Sequence, residues 1–432
     1  MRKLSFFHTT LLIAFGSVAI AGVLVFALAV GNDDANTVGP ITIWGTLDGI
    51  QFTSVIQPIA EVNPIFKQVT YEEKDPTTFE SELTTALANG VGPDLFLLRQ
   101  DYIFKDAGKV IPVPPQSLSV NKFQEAFLDA ANPYYSSNGA LGIPLFVDPL
   151  VLYWNRDLLS SAGIVKPPVF WDELTGMTAL LTQKNEAGSI IKSTIAFGEA
   201  KNIENAKEIL SLLILQAGGT ITAIDVSGNL VPALTSSFDS GLGAADNALR
   251  FYTKFADPSE EEYSWNRSLP ESRKAFASGD AAFYVGFASE AAIIAEMNPN
   301  LNLAVAPVPQ LRGSTIKINT ARVYALAITR TGQNPNGALT VASNLATVDN
   351  SKALSDRFGI PSALRDVLVL PAEGSAELFN KQAILARSWR DPDPERTALI
   401  FRDMIERVTA GSANATDAVQ RANAEMGQIL GL

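Results

Sequence analysis

An apolar run from Ile143 to Asn155 constrains the fold of this chain more than any other stretch. Its β-branched and aromatic residues predict a buried strand. Pro144 and Pro149 interrupt it, and proline has no N–H to give to a β-ladder, so we expect a strand that bends or changes sheet rather than a central one. Asp148 stands between the prolines, and a carboxylate in such surroundings needs a partner or a wet cleft.

The residues after this run predict a short helix, a break and a second helix. Arg156–Ala162 is followed by Gly163, which is a helix C-terminal signal. Pro167-Pro168 then breaks the chain, and Trp171-Asp172-Glu173 opens a helix with acids in its first turn. This order of elements carries a family resemblance.

The pattern GIPL, D, LVLYWNRDLLSSAG, KPP and WDEL along residues 142–174 resembles the hinge segment of bacterial extracellular solute-binding proteins, the receptors of sugar-importing ABC transporters. Two further stretches resemble that family: SWN with FASGDAAF between Ser264 and Phe283, and GVGPDLFLL before Asp101 and Tyr102. The resemblance covers nearly all of Pro40–Leu432. One departure is Phe170, which stands where the family usually has a Thr or Ser helix cap, and a lost cap costs about 1 kcal/mol.

The resemblance implies an α/β, two-lobed periplasmic-binding-protein-like fold of type II, with hinge strands. It implies that residues 40–148 and 321–355 form lobe 1 and that residues 149–320 and 356–432 form lobe 2. The crossings would lie near Asp148, at Arg322–Ile328 and at Phe358–Pro361. The alternation of strands and helices between Ile41 and Leu98 independently favours parallel βαβ units.

The N-terminal residues 1–31 are expected to be a signal peptide or a membrane anchor. Arg2 and Lys3 precede Leu11–Val30, an uncharged apolar run whose helix would be about 30 Å long, enough to span a bilayer. Ala27-Leu28-Ala29 fits a signal-peptide cleavage site, but the run is longer than a usual signal core, which favours a retained anchor. Either interpretation exports the rest, so we expect an extracytoplasmic protein anchored by residues 11–30 or secreted after cleavage.

The composition excludes several kinds of chemistry. The chain has no cysteine and a single histidine, His8, so disulfides, thiolate sites, histidine-based zinc sites and Ser–His triads are excluded, and so is a lipidated cysteine. A net charge of −12 argues against a nucleic-acid partner. We expect no cofactor, no metal and no catalytic residues.

Candidate ligand-binding residues follow from two rules. Ligands of open α/β sheets bind beyond the carboxyl ends of strands, and sugar sites combine aromatic faces with planar polar groups. The candidates are Trp44, Thr46, Asp48, Arg99, Asp101, Tyr102, Asp148, Trp265, Phe287 and Trp389. Phe287 is where the family resemblance implies an aromatic platform, and Arg322 and Tyr324 on the second crossing are further candidates. Each also has a structural alternative, such as core packing for Trp44 or a turn-forming role for Asp48.

The preferred function is that of a monomeric receptor. It would capture a carbohydrate, an oligosaccharide in the first instance, and deliver it to ABC transporter permease subunits at the membrane. One alternative is a receptor for another small solute such as a polyamine, an amino-acid derivative or a metal chelate, and an acidic cleft would favour polyamines. Another is an extracellular glycosidase, which needs two carboxylates about 5 to 9 Å apart that Asp48, Asp101 and Asp148 would have to supply.

Overall fold

The computed structural model describes residues 38–236 and 243–432. The expected signal or anchor segment, residues 1–31 with the apolar run 11–30, lies outside the described residues. Within the described ranges, no helix combines the length and the apolar character needed to cross a bilayer.

Fifteen strands are found in the described ranges. They are β1 (Ile41–Gly45), β2 (Val69–Glu73), β3 (Leu95–Arg99), β4 (Val110–Ile111), β5 (Tyr135–Ser136), β6 (Gly139–Ala140), β7 (Ile143–Asn155), β8 (Gln183–Lys184), β9 (Ile190–Ile195), β10 (Thr222–Ile224), β11 (Leu230–Pro232), β12 (Ala281–Phe287), β13 (Leu303–Ala306), β14 (Asn319–Thr329) and β15 (Ala386–Arg387). One sheet has the order β2-β1-β3-β14-β7-β12-β9-β8, with β13 on β7 and with β4 and β15 on β14. The predicted parallel arrangement of β1, β2 and β3 is confirmed.

Sixteen α-helices are found in the described ranges. Their bounds are Gly49–Val62, Phe79–Ala88, Ile103–Asp106, Val120–Ala126, Arg156–Ser161, Glu173–Leu181, Ala206–Gln216, Ala244–Lys254, Ser272–Ala277, Glu290–Met297, Pro335–Leu345, Val348–Phe358, Arg365–Leu368, Ser375–Ile384, Pro394–Thr409 and Ala415–Leu430. Short 3-10 turns complete the set at Pro64–Phe66, Gln100–Tyr102, Ala107–Lys109 and Asp129–Tyr134.

The long strand β7 is central, which corrects the expectation from its two prolines. It pairs with β14 as far as Pro149 and with β12 from Leu150 onward. Pro149 therefore lies where the strand changes partner, and Pro144 lies opposite Ala325, next to a register shift in β14. A missing N–H is tolerated at both points because the ladder is already interrupted there. The strand does change its pairing at Pro149, as a strand that changes sheet would, but the expectation that it is not central is wrong.

Two separate hydrophobic cores define the lobes. The first core takes its residues from 41–147 and 321–386, and we call this part the first lobe. The second takes its residues from 150–308 and 400–426, and a smaller cluster extends it around Tyr153 and Tyr284. We call this part the second lobe. β7 passes from one core to the other, so the crossing predicted near Asp148 is confirmed.

The third predicted crossing, at Phe358–Pro361, is wrong, and so is the assignment of every residue after 355 to the second lobe. The backbone N–H of Val147 donates to the carbonyl of Pro361, and that of Ala363 donates to the carbonyl of Leu145. The chain after Phe358 therefore runs beside β7, and residues 360–368, 383 and 386 contribute to the first core. Phe379 packs instead in the smaller cluster around Tyr153 and Tyr284. The chain enters the second lobe after β15, since the following helix Pro394–Thr409 packs in the second core.

Candidate ligand site between the lobes

A cleft lies where β3 ends, between the two lobes. The first lobe contributes the turn Gln100–Tyr102, and the second contributes the helix Ala206–Gln216 and the end of β12. The cavity is small, with a volume of about 20 Å³. Its lining residues are Gln100, Asp101, Lys207, Glu208, Ser211, Phe287, Thr320, Ala321, Arg322, Ser388, Trp389 and Asp391.

The first of three ion pairs in this cleft joins Arg99 and Asp101. The guanidinium grips the carboxylate at two points, with Nε 2.7 Å from Oδ1 and Nη2 2.6 Å from Oδ2. Burial alone would raise the pKa of Asp101, but the charge of Arg99 holds it below its usual value. Asp101 is therefore ionised, and each of its two oxygens accepts a hydrogen bond from Arg99.

The second ion pair is the most deeply buried. Lys207 Nζ lies 2.6 Å from Oδ2 of Asp391, whose side chain is completely buried. The hydroxyl of Thr397 donates to the same carboxylate at 2.7 and 2.8 Å. Burial raises the pKa of Asp391 despite the opposing charge of Lys207.

The third ion pair joins strand β14 to the second lobe. Arg322 Nη2 lies 3.2 Å from Glu208 Oε1, and the guanidinium carbon of Arg322 lies 4.0 Å from the ring centre of Phe287. Burial would raise the pKa of Glu208, but the charges of Arg322 and Lys207 lower it. The cleft thus contains three cations and three anions, so its formal charge cancels.

Two polar atoms in the cleft are buried without a partner. They are Oγ of Ser211, a residue only 2% exposed, and Nε of Arg322. Neither atom has a hydrogen-bond partner among the described residues.

At the mouth of the cleft, Glu395 of the second lobe contacts two residues of the first. The hydroxyl of Tyr102 donates to Oε1 at 2.9 Å, and Lys105 Nζ lies 2.7 Å from Oε2. Burial would raise the pKa of Glu395, but these hydrogen bonds hold it at about 2. The lobes are therefore in direct contact across the mouth.

A second concavity lies outside the cleft, within the first lobe. It is lined by Leu368, Leu370, Pro371, Ala372, Glu377, Asn380, Lys381 and Ile384. Its charged pair, Glu377 with Lys381, is an exposed contact within one helix. The cleft is the stronger candidate for a ligand site because both lobes contribute to it and its charges are buried.

Comparison with known proteins identifies the family. The model of the bacterial extracellular solute-binding proteins matches residues 51–352, which is well over half of the chain. The chain belongs to this family. A provisionally named binding protein of Brucella abortus strain 2308 is 24% identical over 156 residues, which is 36% of this chain and 38% of that protein. The match thus spans well under half of the curated relative.

Solved structures show the same fold as this solute-binding protein. The cyclic alpha-maltosyl-1,6-maltose binding protein of Arthrobacter globiformis aligns with a TM-score of 0.74 at 15% identity, over 91% of this chain and 99% of that one. The GacH receptor of Streptomyces glaucescens, solved unliganded and with acarbose, aligns with a TM-score of 0.69 at 17% identity, over 91% and 98%. These likenesses show the two-lobed α/β fold of the solute-binding proteins.

Three of the predicted site residues, Asp101, Phe287 and Trp389, line the cleft of this solute-binding protein. Two more lie beside it: Arg99 donates to Asp101, and the hydroxyl of Tyr102 donates to Glu395. Both aromatic rings that line the cleft, Phe287 and Trp389, already have other side chains against them. Arg322 lies over Phe287, while Trp389 stacks on Phe401 at 6.3 Å and has Lys207 Nζ 5.5 Å from its ring centre.

Trp44, Thr46 and Asp48 lie at the end of β1, and none of them lines the cleft cavity in the described residues. Lys74 Nζ lies 3.8 Å from the ring centre of Trp44. Asp48 is exposed, and its carboxylate accepts the N–H of Gln51 at 2.7 Å, which caps the helix Gly49–Val62. The turn-forming alternative thus describes the position of Asp48, and a ligand role for these three residues stays a prediction.

Asp148 and Trp265 are buried rather than open to the cleft. Both are 1% exposed. Asp148 accepts the N–H of Ser289 at 3.0 Å and its hydroxyl at 2.6 Å, and burial raises the pKa of Asp148 to about 6. Trp265 packs in the second core and donates from Nε1 to Asn202 Oδ1 at 3.1 Å. Both side chains thus have structural roles in the described protein, Asp148 in hydrogen bonding to Ser289 and Trp265 in core packing.

Sequence reasoning missed Lys207, Glu208, Ser211 and Asp391. The first three lie on the helix Ala206–Gln216, whose apolar spacing favoured a purely buried helix. Arg322, one of the further candidates, does line the cleft, and its sequence signal is that a lone cation in an otherwise apolar strand needs a partner, as Asp148 does. For the other residues no local signal existed, since their partners are distant in the chain.

Proposed function

We propose that this protein is an extracytoplasmic receptor that captures an uncharged carbohydrate between its lobes and delivers it to the permease of an ABC transporter. The single observation that carries the carbohydrate assignment is the cancelled charge of the cleft. Each of Asp101, Glu208 and Asp391 is paired with a cation. A cleft rich in polar groups but without net charge suits a ligand that offers many hydroxyls and no charge.

The charge balance disfavours the polyamine alternative. A polyamine needs unpaired carboxylates to meet its ammonium groups. The chain as a whole carries a net charge of −12, but that excess is not found among the paired residues of the cleft. To bind a polycation, the cleft would have to break ion pairs that are already well formed.

The delivery step, the membrane attachment and the monomeric state of this proposal rest on the family. Of the relatives, the Streptomyces protein binds acarbose and the Arthrobacter protein is named for a cyclic tetrasaccharide. These names favour an oligosaccharide for this chain too. The permease would receive the sugar from an open form of the receptor, and residues 1–31 would hold the receptor at the membrane or be removed after export.

The same contacts favour binding over catalysis. A glycosidase needs a protonated carboxylic acid that reaches the substrate, opposite a second carboxylate. Of the three carboxylates proposed for that role, Asp101 alone lines the described cleft, and both of its oxygens are engaged by Arg99. We therefore propose that the ligand leaves the protein chemically unchanged.

A thermal-shift panel on the full chain tests this function. The panel contains maltotriose, mannobiose, acarbose and spermidine. A ligand at a hundredfold its dissociation constant stabilises the native state by about 2.7 kcal/mol, which is easily resolved. We expect a sugar to raise the melting temperature and spermidine to leave it unchanged. Stabilisation by spermidine alone would establish the polyamine alternative, and release of reducing sugar during the incubation would establish the glycosidase.

A further inference from the structure

We propose that Arg322, held flat against Phe287, is the group that anchors the ligand, with Ser211 as its second contact. Arg322 Nε donates a hydrogen bond to an oxygen of an uncharged sugar, and Ser211 Oγ makes another. This inference rests on the proposed function. Phe287 then acts as a positioning residue rather than as a stacking platform.

Arg322 is fixed from two sides. Its Nη2 lies 3.2 Å from Glu208 Oε1, and its guanidinium carbon lies 4.0 Å from the ring centre of Phe287. Phe287 is itself rigid, because its N–H donates to Glu290 Oε1 at 2.9 Å and its carbonyl accepts the hydroxyl of Tyr153 at 2.6 Å. A guanidinium held in this way keeps its remaining N–H groups in a constant direction.

Several other polar atoms of the cleft already have hydrogen-bond partners. Gln100 Oε1 accepts the N–H of Val323 at 2.7 Å. Thr320 Oγ1 donates to the carbonyl of Arg387 at 3.1 Å, and Ser388 Oγ donates to that of Ala130 at 2.5 Å. Arg322 Nε and Ser211 Oγ are the lining atoms that are buried without a partner in the described chain.

A buried donor without a hydrogen-bond partner raises the free energy of the folded protein. The contact between the lobes therefore leaves the N–H at Arg322 Nε without an acceptor among the described residues. A ligand oxygen placed against Arg322 Nε removes that penalty in the closed form. The penalty does not apply to an open form, in which water reaches both atoms. The same two atoms therefore bind the ligand and make closure depend on it.

The chemistry of the pair selects an uncharged polyol. The charge of Arg322 is already countered by Glu208, so a ligand carboxylate would compete with Glu208 for the same guanidinium. A sugar hydroxyl accepts from Arg322 Nε and can donate its own proton to a neighbouring oxygen. The covered face of Phe287 also means that the sugar ring is held there by hydrogen bonds rather than by stacking.

Calorimetric titration of three variants with maltotriose, mannobiose and acarbose tests the inference. Arg322→Lys keeps the charge but removes Nε and the planar stack, and Ser211→Ala removes the unpaired hydroxyl. Arg312→Lys is the matched control, because Arg312 also pairs with a carboxylate at 2.7 Å and lies 4.2 Å from the ring centre of Phe170, but on the exposed surface. We expect affinity to fall about tenfold to a hundredfold in Arg322→Lys, since a charged hydrogen bond is lost, less in Ser211→Ala, and not at all in the control.

Thermal unfolding without ligand separates binding from folding. Ser211→Ala should unfold no earlier than the wild type, because alanine has the higher helix propensity and the lost hydroxyl has no partner. A wild type that binds sugar while Arg322→Lys and Ser211→Ala keep its affinity overturns this inference alone. A wild type that binds none of the sugars overturns the proposed function, and this inference with it.

Discussion

At the scale of single residues, Asp148 shows how a buried charge can serve the hinge. Its two oxygens accept both the N–H and the hydroxyl of Ser289, which ties β7 to the segment after β12. Burial raises the pKa of Asp148 from 3.8 to about 6. The native state therefore holds this proton more tightly than the unfolded chain does. The stability that results is present below about pH 4 and is lost as the pH rises to 6.

Asp148→Asn tests this assignment. The amide oxygen still accepts the N–H of Ser289 and the NH₂ group donates to its hydroxyl, so both contacts survive without the charge. We expect urea melts at pH 7.5 to show a free energy of unfolding equal to or above that of the wild type, with less decline between pH 4 and 6. Asp148→Ala loses both contacts and should lower that free energy by about 1–3 kcal/mol.

Sugar titration of Asp148→Asn separates the hinge role from the ligand role that the sequence suggested. The structure leads us to expect unchanged affinity, because the side chain is buried and both oxygens are in use. A tenfold loss of affinity with normal stability would show instead that Asp148 contacts the ligand.

At the scale of elements, local signals located most helices, and long-range contacts decided what the sequence did not show. Apolar spacing and a following glycine are local features, and they predict helices at Phe79–Ala88 and Ala206–Gln216 with the bounds that the structure shows. The contact of Lys207 with Asp391 joins residues 184 positions apart, and no local pattern reports it. The helix was therefore located correctly, while the side chains that it contributes to the cleft were missed.

The helix Pro394–Thr409 illustrates the same point at the mouth of the cleft. Two prolines and three acids between Asp391 and Glu395 are typical of a helix entry, and Asp393 does cap this helix by accepting the N–H of Arg396. The contact of Glu395 with Tyr102 and Lys105 became visible only in the structure. The first turn of this helix therefore joins the two lobes, and we call the contact of Glu395 with Tyr102 and Lys105 the clasp.

Glu395→Ala tests the clasp. Both charged partners are partly exposed, so we expect a small effect of about 0.2–1 kcal/mol, which shifts the equilibrium between open and closed forms by up to about fivefold. Small-angle scattering without ligand should show a larger radius of gyration than that of the wild type, and the difference should shrink as salt is added.

Glu377→Ala is the matched control for the clasp. It removes an exposed ion pair with Lys381 that lies within one helix of the first lobe. An equal change of radius in both variants, or none in Glu395→Ala at low salt, would show that Glu395 does not hold the lobes together.

At the scale of the whole molecule, the fold follows from two cores joined by a strand that belongs to both. β7 spans both cores, and β14 pairs with its first half, but the core residues of β14 from Ala321 to Ile328 all lie in the first core. The sequence predicted the two lobes and the crossing near Asp148, because apolar runs and family motifs mark them. It misplaced the crossings at Arg322–Ile328 and Phe358–Pro361, because nothing local distinguishes a segment that crosses from one that runs beside β7. On the proposed function, we expect the lobes to close by a hinge motion and a ligand in the cleft to shift the population toward closure.

Hydrogen exchange of the full chain, with and without a saturating panel sugar, tests the central claim most directly. The account predicts slower exchange on both sides of the cleft at once, in the segments 99–105 and 206–211 from opposite lobes and in the segment 386–395, through which the chain enters the second lobe. The concavity between residues 368 and 384 should exchange at the same rate with and without sugar. Protection confined to that concavity, or to one lobe, would contradict a receptor that binds its ligand between two closing lobes.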